Sequence, residues 1–464
     1  MNTKKFQMPH GFVVIFFVVV LATLATYVIP AGQFERVEHA ATGRMVVDPD
    51  TYHRVEQSPV GLFGLFVNIK AGFVSAADII FMIFFAYAYI FVILKTGAFH
   101  GLIKRMLQLT SGREYLMIPV FMLLFGLAGS TYGEFETIYG LIPIFVGLAI
   151  ALGYDAIVGL SMSGMAVAVG FAAGTTNPFT IGIAQGIAEL PLFSGLFYRW
   201  VVFFVFMAIV ILWTLRYAKM VKNDPEKSLV KDINFGELTL RKDDLKDAEF
   251  TVRHKIIMLG LVFAIASIVY GSLNLGWWFN EMSAVFIIGM VFSGIMGGFG
   301  ANKLAETFIE GCSAIVLGAL IVGLARSVLK VMTEGQIIDT VVQSLSVPLG
   351  ALPAWGSAIG MLVSQTIINL FIPSGSGQMM AIMPIMTPLA DLVGITRQVA
   401  VLAAQFGDGF SNLLWPTTGI IVMCAVSKVP YVRWIKFFLP LFGIMFIAQA
   451  IMLAIAVAIG YGPF

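Results

Sequence analysis

Long apolar segments separated by short charged loops constrain this chain more than any other feature of its sequence. Crossing a bilayer takes about 20 apolar residues, and nine segments approach or exceed that length. They are 11–29, 72–94, 156–190, 196–215, 256–273, 277–298, 311–329, 400–427 and 435–458. Only 12% of the residues are charged, about half the share found in soluble domains. The sequence therefore predicts an all-α polytopic membrane protein whose surroundings are the lipid bilayer.

Several function classes are disfavoured by what the sequence lacks. The net charge is +2, which gives no electrostatic footprint for a nucleic-acid partner. The two cysteines lie in apolar segments and the five histidines are scattered, so no metal-ligand spacing is seen and the metal site stays unknown. The sequence has no phosphate-binding Gly-x-x-x-x-Gly-Lys-Ser/Thr loop, so we expect no bound cofactor and a gradient or exchange as the energy source.

Basic residues in short loops indicate the orientation of the chain. Lys4 and Lys5 place the N-terminus in the cytoplasm, and the loop 219–255 carries nine basic residues, which also makes it cytoplasmic. The assignment is consistent only if two long broken stretches, 115–152 and 353–393, each return to the side from which they entered. We therefore expect re-entrant hairpins there, in a multi-pass protein of a bacterial inner membrane.

The order of segments predicts two inverted-topology repeats. Residues 1–220 form the first repeat, with a hairpin at 115–152 and an interrupted helix at 156–190. Residues 221–275 supply a cytoplasmic loop and one connecting helix, which turns the following segments upside down. Residues 276–464 form the second repeat, with a hairpin at 353–393 and an interrupted helix at 398–427. Such repeats characterise secondary transporters.

Four glycine- and proline-rich interruptions carry the functional prediction. Two are hairpin tips, 129–133 and 373–377, and two interrupt helices, 174–180 and 407–419. Non-helical backbone at membrane depth is tolerated only where it is buried in protein or lines a water-filled cavity. Half-helix N-termini and unwound carbonyls bind small charged solutes. Packing glycines and kinking prolines explain one such break equally well, but four in repeat-related positions favour a transport site.

Ionisable residues near the interruptions indicate the charge of the solute. The regions 115–198 and 331–427 contain eight acidic residues and one basic residue, Arg397, which favours a solute with a cationic group. Intramembrane carboxylates are functional candidates by default. Glu134, Glu136 and Asp408 would face the cationic group. The acids expected at interfaces and solvated ends are Asp155, Glu189, Glu334, Asp339 and Asp391.

Polar side chains at the interruptions complete the predicted binding site. Asn177 and the helix N-termini would face a carboxylate of the solute; for the amides of Asn177, Asn369 and Asn412, capping of the broken helices is an equally open role. Arg326, near a predicted helix end, would pair internally; binding a substrate carboxylate or reaching the membrane surface are the alternatives. The predicted substrate-binding residues are Ser130, Thr131, Tyr132, Glu134, Glu136, Thr175, Thr176, Asn177, Ser374, Gly375, Ser376, Asp408, Asn412 and Thr417.

Six motifs of this chain resemble those of YfcC-type carriers. This group includes arginine/ornithine exchangers and is related to the four-carbon dicarboxylate carriers of the ion-transporter superfamily. The resemblance covers nearly the whole chain. The motifs are Lys5-Phe-Gln-Met-Pro9, Tyr27-Val-Ile-Pro-Ala-Gly-Gln-Phe34, Gly129-Ser-Thr-Tyr-Gly-Glu-Phe-Glu136, Gly170-Phe-Ala-Ala-Gly-Thr-Thr-Asn-Pro-Phe-Thr180, Gly323-Leu-Ala-Arg326 and Ile372-Pro-Ser-Gly-Ser-Gly-Gln378.

The resemblance implies a scaffold plus a moving transport domain, elevator-type alternating access and a homodimer. Better-known members of the superfamily bind sodium at a Ser-Asn-Thr triplet in the hairpin tips. The tips here read Gly129-Ser130-Thr131 and Ser374-Gly375-Ser376. They lack the asparagine, so Na⁺ coupling stays open.

The sequence predicts a secondary transporter of a cationic amino acid and not an enzyme. The specific prediction is exchange of arginine for ornithine. The main alternative is a Na⁺- or H⁺-coupled carrier of four-carbon dicarboxylates or of another small carboxylate or peptide solute. An ion channel would need a continuous pore, which paired hairpins without a filter repeat do not favour. An intramembrane enzyme would need a placed nucleophile or metal pair, and the sequence offers none that is convincing.

Overall fold

Helices dominate the described part of the chain. The structure is a computed structural model, and it describes residues 11–38, 45–109, 113–131, 133, 135, 137–238, 250–275, 277 and 279–462. The helices are α1 (Gly11–Val28), α2 (Leu62–Ser75), α3 (Ala77–Lys95), α4 (Ala98–Leu109), α5 (Met117–Thr131), α6 (Ile142–Ala151), α7 (Ala156–Leu160), α8 (Ala166–Ala172), α9 (Ile183–Ile187), α10 (Leu196–Asn223), α11 (Val252–Asn274), α12 (Phe279–Met296), α13 (Ala301–Glu334), α14 (Ile338–Ser346), α15 (Ala354–Phe371), α16 (Gly375–Val393), α17 (Arg397–Ser411), α18 (Thr418–Ser427) and α19 (Tyr431–Ala458).

Six helical segments in these ranges are long and apolar enough to cross a membrane. This number is smaller than the nine predicted crossings. One reason is that 156–190 and 400–427 are each divided between shorter helices. Two of the six, Glu114–Thr131 and Ala354–Phe371, lie in the stretches predicted as hairpins. The six are Ala77–Lys95, Glu114–Thr131, Leu196–Asn223, Phe279–Met296, Ala354–Phe371 and Tyr431–Ala458.

The helices pack in two groups. In the first, α13 packs against α1, α2 and α3, and α3 also packs against α12. In the second, α5 packs against α8, α17 packs against α8, α15 and α16, and α16 contacts α9. The long helix α13 also packs against α18, the helix that follows the non-helical residues 412–417. The interrupted segments therefore lie together, beside a layer of long helices.

Helices α5 and α8 approach each other closely because glycines line their contact. A methyl group added at Gly170 would lie 2.0 Å from the carbonyl oxygen of Gly126, and one added at Gly129 would lie 2.2 Å from the carbonyl oxygen of Val167. Small residues at such crossings let helix backbones come together within a membrane. This contact holds α5, which leads to the predicted tip 129–133, against α8, which precedes the predicted interruption 174–180.

We expect Gly170→Ala to destabilise the protein, because the new methyl group meets the backbone of α5 and the two helices must separate. Overpacking of this kind costs about 1–3 kcal/mol. The matched control is Gly443→Ala in α19, where an added methyl group has no neighbour within 4 Å. Thermal unfolding of the purified protein should show a lower melting temperature for Gly170→Ala only. Equal melting temperatures would contradict the close packing.

Non-helical residues occur at each of the four predicted interruptions. They include residues 133, 173–177, 372–374 and 412–417. The predicted bounds 129–133, 373–377 and 407–419 are partly wrong. Helix α5 continues through Thr131, so the residues from Gly129 onward form its last turn. Helix α16 begins at Gly375, and α17 continues through Ser411, so Asp408 lies inside a helix. Two π-helical turns that the sequence did not predict, Ser161–Met165 and Pro178–Gly182, occur along the segment 156–190.

The segment between α1 and α2 forms two small antiparallel strand pairs. Strand β1 (Gly32–Gln33) pairs with β4 (His53–Arg54), and β2 (Arg36–Glu38) pairs with β3 (Met45–Val47).

Two acids expected in solvated positions are instead buried. Arg36 binds Asp339 with two hydrogen bonds of 3.0 and 2.9 Å, which ties the segment after α1 to α14. Asp155, the N-cap of α7, accepts hydrogen bonds from Tyr217 and Ser228 at 2.7 Å each and from the Val158 amide at 3.2 Å. Each carboxylate is stable in its buried position because donors from other elements satisfy it.

Candidate functional site

A cavity of about 130 Å³ lies where the interrupted segments face the long helices. Its volume holds a solute of about ten non-hydrogen atoms if each takes the space of one water. The first group of helices contributes residues of α3, α12 and α13 to its wall, and the interrupted segments supply the remainder. The lining residues are Ile79, Gly133, Phe135, Tyr139, Phe171, Phe179, Phe279, Met282, Arg326, Pro373, Ser374, Gly375, Ser376, Asn412 and Gly419.

Arg326 is the charged side chain among the described lining residues. It projects from α13, in the layer of long helices. The N-terminus of α16 also reaches the cavity, through Ser374, Gly375 and Ser376. Ser374 caps this helix, with its hydroxyl accepting the Gly377 amide at 3.3 Å. A guanidinium and a helix N-terminus both attract negative charge, so the cavity offers two features that suit a carboxylate.

Aromatic rings form much of the remaining wall. Phe135 packs edge-on against Tyr139 and Phe171, with ring centroids 6.3 and 5.6 Å apart. Phe179 and Phe279 complete the aromatic set. Aromatic faces attract guanidinium and ammonium groups and also cover alkyl chains. The cavity thus combines a region suited to a carboxylate with a region suited to an alkyl chain that ends in a cation.

Asp408 lies directly behind the cavity wall at Gly375. Its side chain is fully buried, and neither carboxylate oxygen has a hydrogen-bond partner among the described residues. A methyl group added at Gly375 would lie 3.2 Å from Oδ2 of Asp408 and 2.7 Å from Cγ2 of Thr180. The carboxylate therefore lies against Gly375, a residue of the cavity wall that has no side chain.

Hydroxyl groups join the end of α5 to the non-helical residues 173–177. The Ser130 hydroxyl donates to the Ala173 carbonyl at 2.9 Å and lies 3.1 Å from the Thr175 hydroxyl oxygen. Asn177 caps the following turn, with its Oδ1 accepting the Phe179 amide at 2.9 Å. Gly133, which has a φ of +74°, packs so closely on Asn177 that a methyl group there would clash. These contacts join the end of α5 to the interruption after α8.

An asparagine pair holds the start of the non-helical segment 412–417 against α15. The Asn369 amide donates to Oδ1 of Asn412 at 3.0 Å and to the Ser411 hydroxyl at 2.7 Å. It also donates to the backbone carbonyl of Asp408 at 3.0 Å. Thr417 is the N-cap of α18, and its buried hydroxyl has no partner among the described residues. Asn412 thus reaches the cavity from a position that α15 fixes.

Comparison with known proteins identifies the family. The family described as C4-dicarboxylate anaerobic carrier (DcuC) matches residues 8–458. The chain belongs to this family. It is also 32% identical to the "Putative basic amino acid antiporter YfcC" of Escherichia coli (strain K12), over 99% of this chain and 98% of that protein. This similarity confirms the YfcC-type resemblance of the motifs.

Other relatives agree on the extent of the similarity. The chain is 29% identical to an "Uncharacterized protein" of Haemophilus influenzae, over 98% of each. Among solved structures, the YdaH transporter of Alcanivorax borkumensis aligns with a TM-score of 0.44 and 17% identity, over 98% of this chain and all of that one. The chain described here has helices long and apolar enough to cross a membrane and belongs to a carrier family, so it is a multi-pass membrane transporter.

The structure divides the predicted site residues into three sets. Ser374, Gly375, Ser376 and Asn412 line the cavity. Tyr132, Glu134 and Glu136 lie outside the described residues. The described residues that are not on the wall are Ser130, Thr131, Thr175, Thr176, Asn177, Asp408 and Thr417.

Some lining residues escaped sequence reasoning. Ile79, Phe279 and Met282 come from α3 and α12, and an apolar residue in an apolar helix gives no sequence signal that it faces a cavity. Arg326 did give a signal, as a lone base in an apolar segment. The structure places it on the cavity wall, and its pairing with an acid stays a prediction.

Proposed function

We propose that this protein exchanges basic amino acids across a membrane, with arginine for ornithine as the most direct pair, and that the substrate occupies the cavity at Arg326. The supporting observation is the wall itself, where one guanidinium and a helix N-terminus lie in the same cavity as five aromatic rings. An amino acid with a cationic side chain matches both features. The putative basic amino acid antiporter among its relatives supports the same substrate class.

The proposed binding mode follows from charge. Arg326 binds the α-carboxylate. The aromatic rings cover the aliphatic chain and the guanidinium or ammonium end. Asp408, behind Gly375, attracts the cationic end through a wall of low dielectric, in which charges interact more strongly than in water. The glutamates Glu134 and Glu136 add negative charge near the first tip in the sequence.

Exchange of two substrates with equal charge needs no coupling ion. We propose that the carrier works by elevator-type alternating access, with two inverted repeats, 1–220 and 276–464, as a homodimer. In this arrangement the interrupted segments form the moving part, and the layer of α3, α12 and α13 forms the fixed part. The N-terminus would be cytoplasmic and the membrane a bacterial inner membrane, with Na⁺ as a further ligand left open.

A four-carbon dicarboxylate is the second candidate. The family description favours it, and so do the two features of the wall that attract carboxylates. A dicarboxylate has two anionic ends, however, and the described lining residues offer one cationic side chain. At the N-terminus of α16 its second carboxylate would face the buried carboxylate of Asp408, which lies against Gly375 and repels it.

The test is counterflow in proteoliposomes that contain the purified protein. Vesicles loaded with ornithine should accumulate labelled arginine, and unloaded vesicles should not. Vesicles loaded with succinate serve as the comparison. Accumulation of labelled succinate against succinate, without arginine uptake against ornithine, would overturn the proposal in favour of the dicarboxylate carrier.

A further inference from the structure

A second and larger recess lies away from the substrate cavity. It is a groove of about 560 Å³ between α5 and α6 on one side and α4 and α11 on the other. This volume falls within the range of ligand pockets, about 300–1,000 Å³. Its wall includes Phe99, Leu124, Thr131, Met258 and Val262.

The wall of this groove offers no hydrogen-bonding side chain to an occupant. Its one polar side chain, Thr131, donates its hydroxyl to the Leu127 carbonyl at 2.7 Å, within its own helix. Leu124 and Val262 are more than half exposed at the opening. An apolar, open groove on membrane-spanning helices is filled by hydrocarbon, because water would find no partner there.

Basic side chains lie at the end of α11 nearest the start of α4. Among the described residues, the first turn of α11 carries Arg253 and Lys255, both exposed, and no acidic residue. We call these two residues the basic rim. This turn lies beside the start of α4, since a methyl group added at Gly97 would lie 3.9 Å from the ring of His254.

Helix periodicity connects the rim to the groove. Lys255 precedes the lining residue Met258 by three residues, so the two share one helix face. Among the described acids, Glu114, just before α5, is paired within the protein, with its carboxylate 3.6 Å from the ammonium of Lys222.

We propose that the groove binds an acyl chain of an anionic phospholipid, whose phosphate headgroup lies on the basic rim. Basic pockets at the ends of membrane helices bind anionic headgroups. The lipid fills the space between the α5–α6 pair and the α4–α11 pair, and it stabilises the folded protein by binding to it. The proposal is independent of the identity of the transported substrate.

The test uses the full-length protein purified in detergent, with phosphatidylglycerol and phosphatidylcholine of identical acyl chains as probes. Phosphatidylglycerol should raise the melting temperature by several degrees more than phosphatidylcholine does, and native mass spectrometry should show it bound. An equal effect of the two lipids would overturn the headgroup assignment.

Two variants separate the chain site from the headgroup site. Val262→Trp fills the groove and should abolish the shift, while Leu259→Trp, an exposed position on the same helix that does not line the groove, should keep it. Lys255→Glu should remove the preference for phosphatidylglycerol. Lys303→Glu should keep this preference, because Lys303 lies on α13, with its ammonium over the ring of Phe299.

A different occupant would give a different result. If Val262→Trp converts a dimer to a monomer in light scattering and leaves the lipid shift unchanged, a second copy of the chain covers the groove and the proposal is wrong. Loss of the lipid shift in Leu259→Trp would likewise overturn the assignment to this groove.

Discussion

Replacing Arg326 with Gln should reduce transport about 10- to 100-fold while the protein remains folded. The guanidinium lines the substrate cavity, and hydrogen bonds to a charged group contribute about 1.5–3 kcal/mol, which corresponds to this range. Arg326→Lys should lose part of the rate, because an ammonium keeps the charge but not the planar, two-pronged donor geometry. Initial rates of labelled arginine uptake into ornithine-loaded vesicles measure both effects.

Lys330→Gln is the matched control for this prediction. Lys330 lies one turn further along α13 and does not line the cavity, so its replacement should leave the rate near that of the unmodified protein. If Arg326→Gln instead lowers the melting temperature and keeps the rate per folded molecule, the guanidinium serves the internal pairing that the sequence favoured. Loss of uptake at an unchanged melting temperature supports the carboxylate-binding role.

The interruptions were predictable because their residue types are costly in membrane helices. Gly174-Thr-Thr-Asn-Pro178 and Asn412-Leu-Leu-Trp-Pro416 contain residues that stop helices, at depths where backbone groups need protein partners. The second of these breaks begins later than predicted, because α17 continues through Gly407 and Gly409 to Ser411. The first tip was placed too early. Small residues such as Gly129 permit a break but do not force one, and tertiary contact with α8 keeps α5 helical to Thr131.

Side-chain directions were less predictable than backbone breaks. Arg326 was expected near a helix end because the apolar segment stops at 329. The helix continues to Glu334, so Arg326 lies further from its end than the apolar segment implied. Ser130 and Thr175 have hydroxyl groups of the kind that bind a solute, but these hydroxyls join the end of α5 to the residues after α8. Local sequence does not reveal which of several nearby acceptors a hydroxyl will meet.

Asp408→Asn should leave stability unchanged or raise it, and should lower exchange about 30-fold or more. Burying a charge without a partner is unfavourable, and neither oxygen of Asp408 has a hydrogen-bond partner among the described residues. The neutral amide of the same shape removes that cost. If the charge attracts the cationic end of the substrate, its removal costs about 2 kcal/mol or more, the scale for losing one member of a buried charge pair.

Asp155→Asn provides the opposite control. This carboxylate is also buried, but it accepts hydrogen bonds from Tyr217, Ser228 and the Val158 amide. An amide cannot accept all of them equally well, so the melting temperature should fall, by the equivalent of about 1–3 kcal/mol for a polar group left unsatisfied. The exchange rate per folded molecule should stay near that of the unmodified protein, since Asp155 does not line the cavity.

The two variants together decide whether the buried charge at Asp408 serves transport. Neutralising a carboxylate with a structural role lowers the stability of the protein. Neutralising one that serves function, and that the fold tolerates at a cost, lowers activity instead. Melting temperatures and counterflow rates of both variants, measured on the same preparations, separate these outcomes. If Asp408→Asn behaves like Asp155→Asn, less stable and fully active, the carboxylate behind Gly375 has no part in binding the cationic end, and a dicarboxylate becomes the better candidate for the cavity.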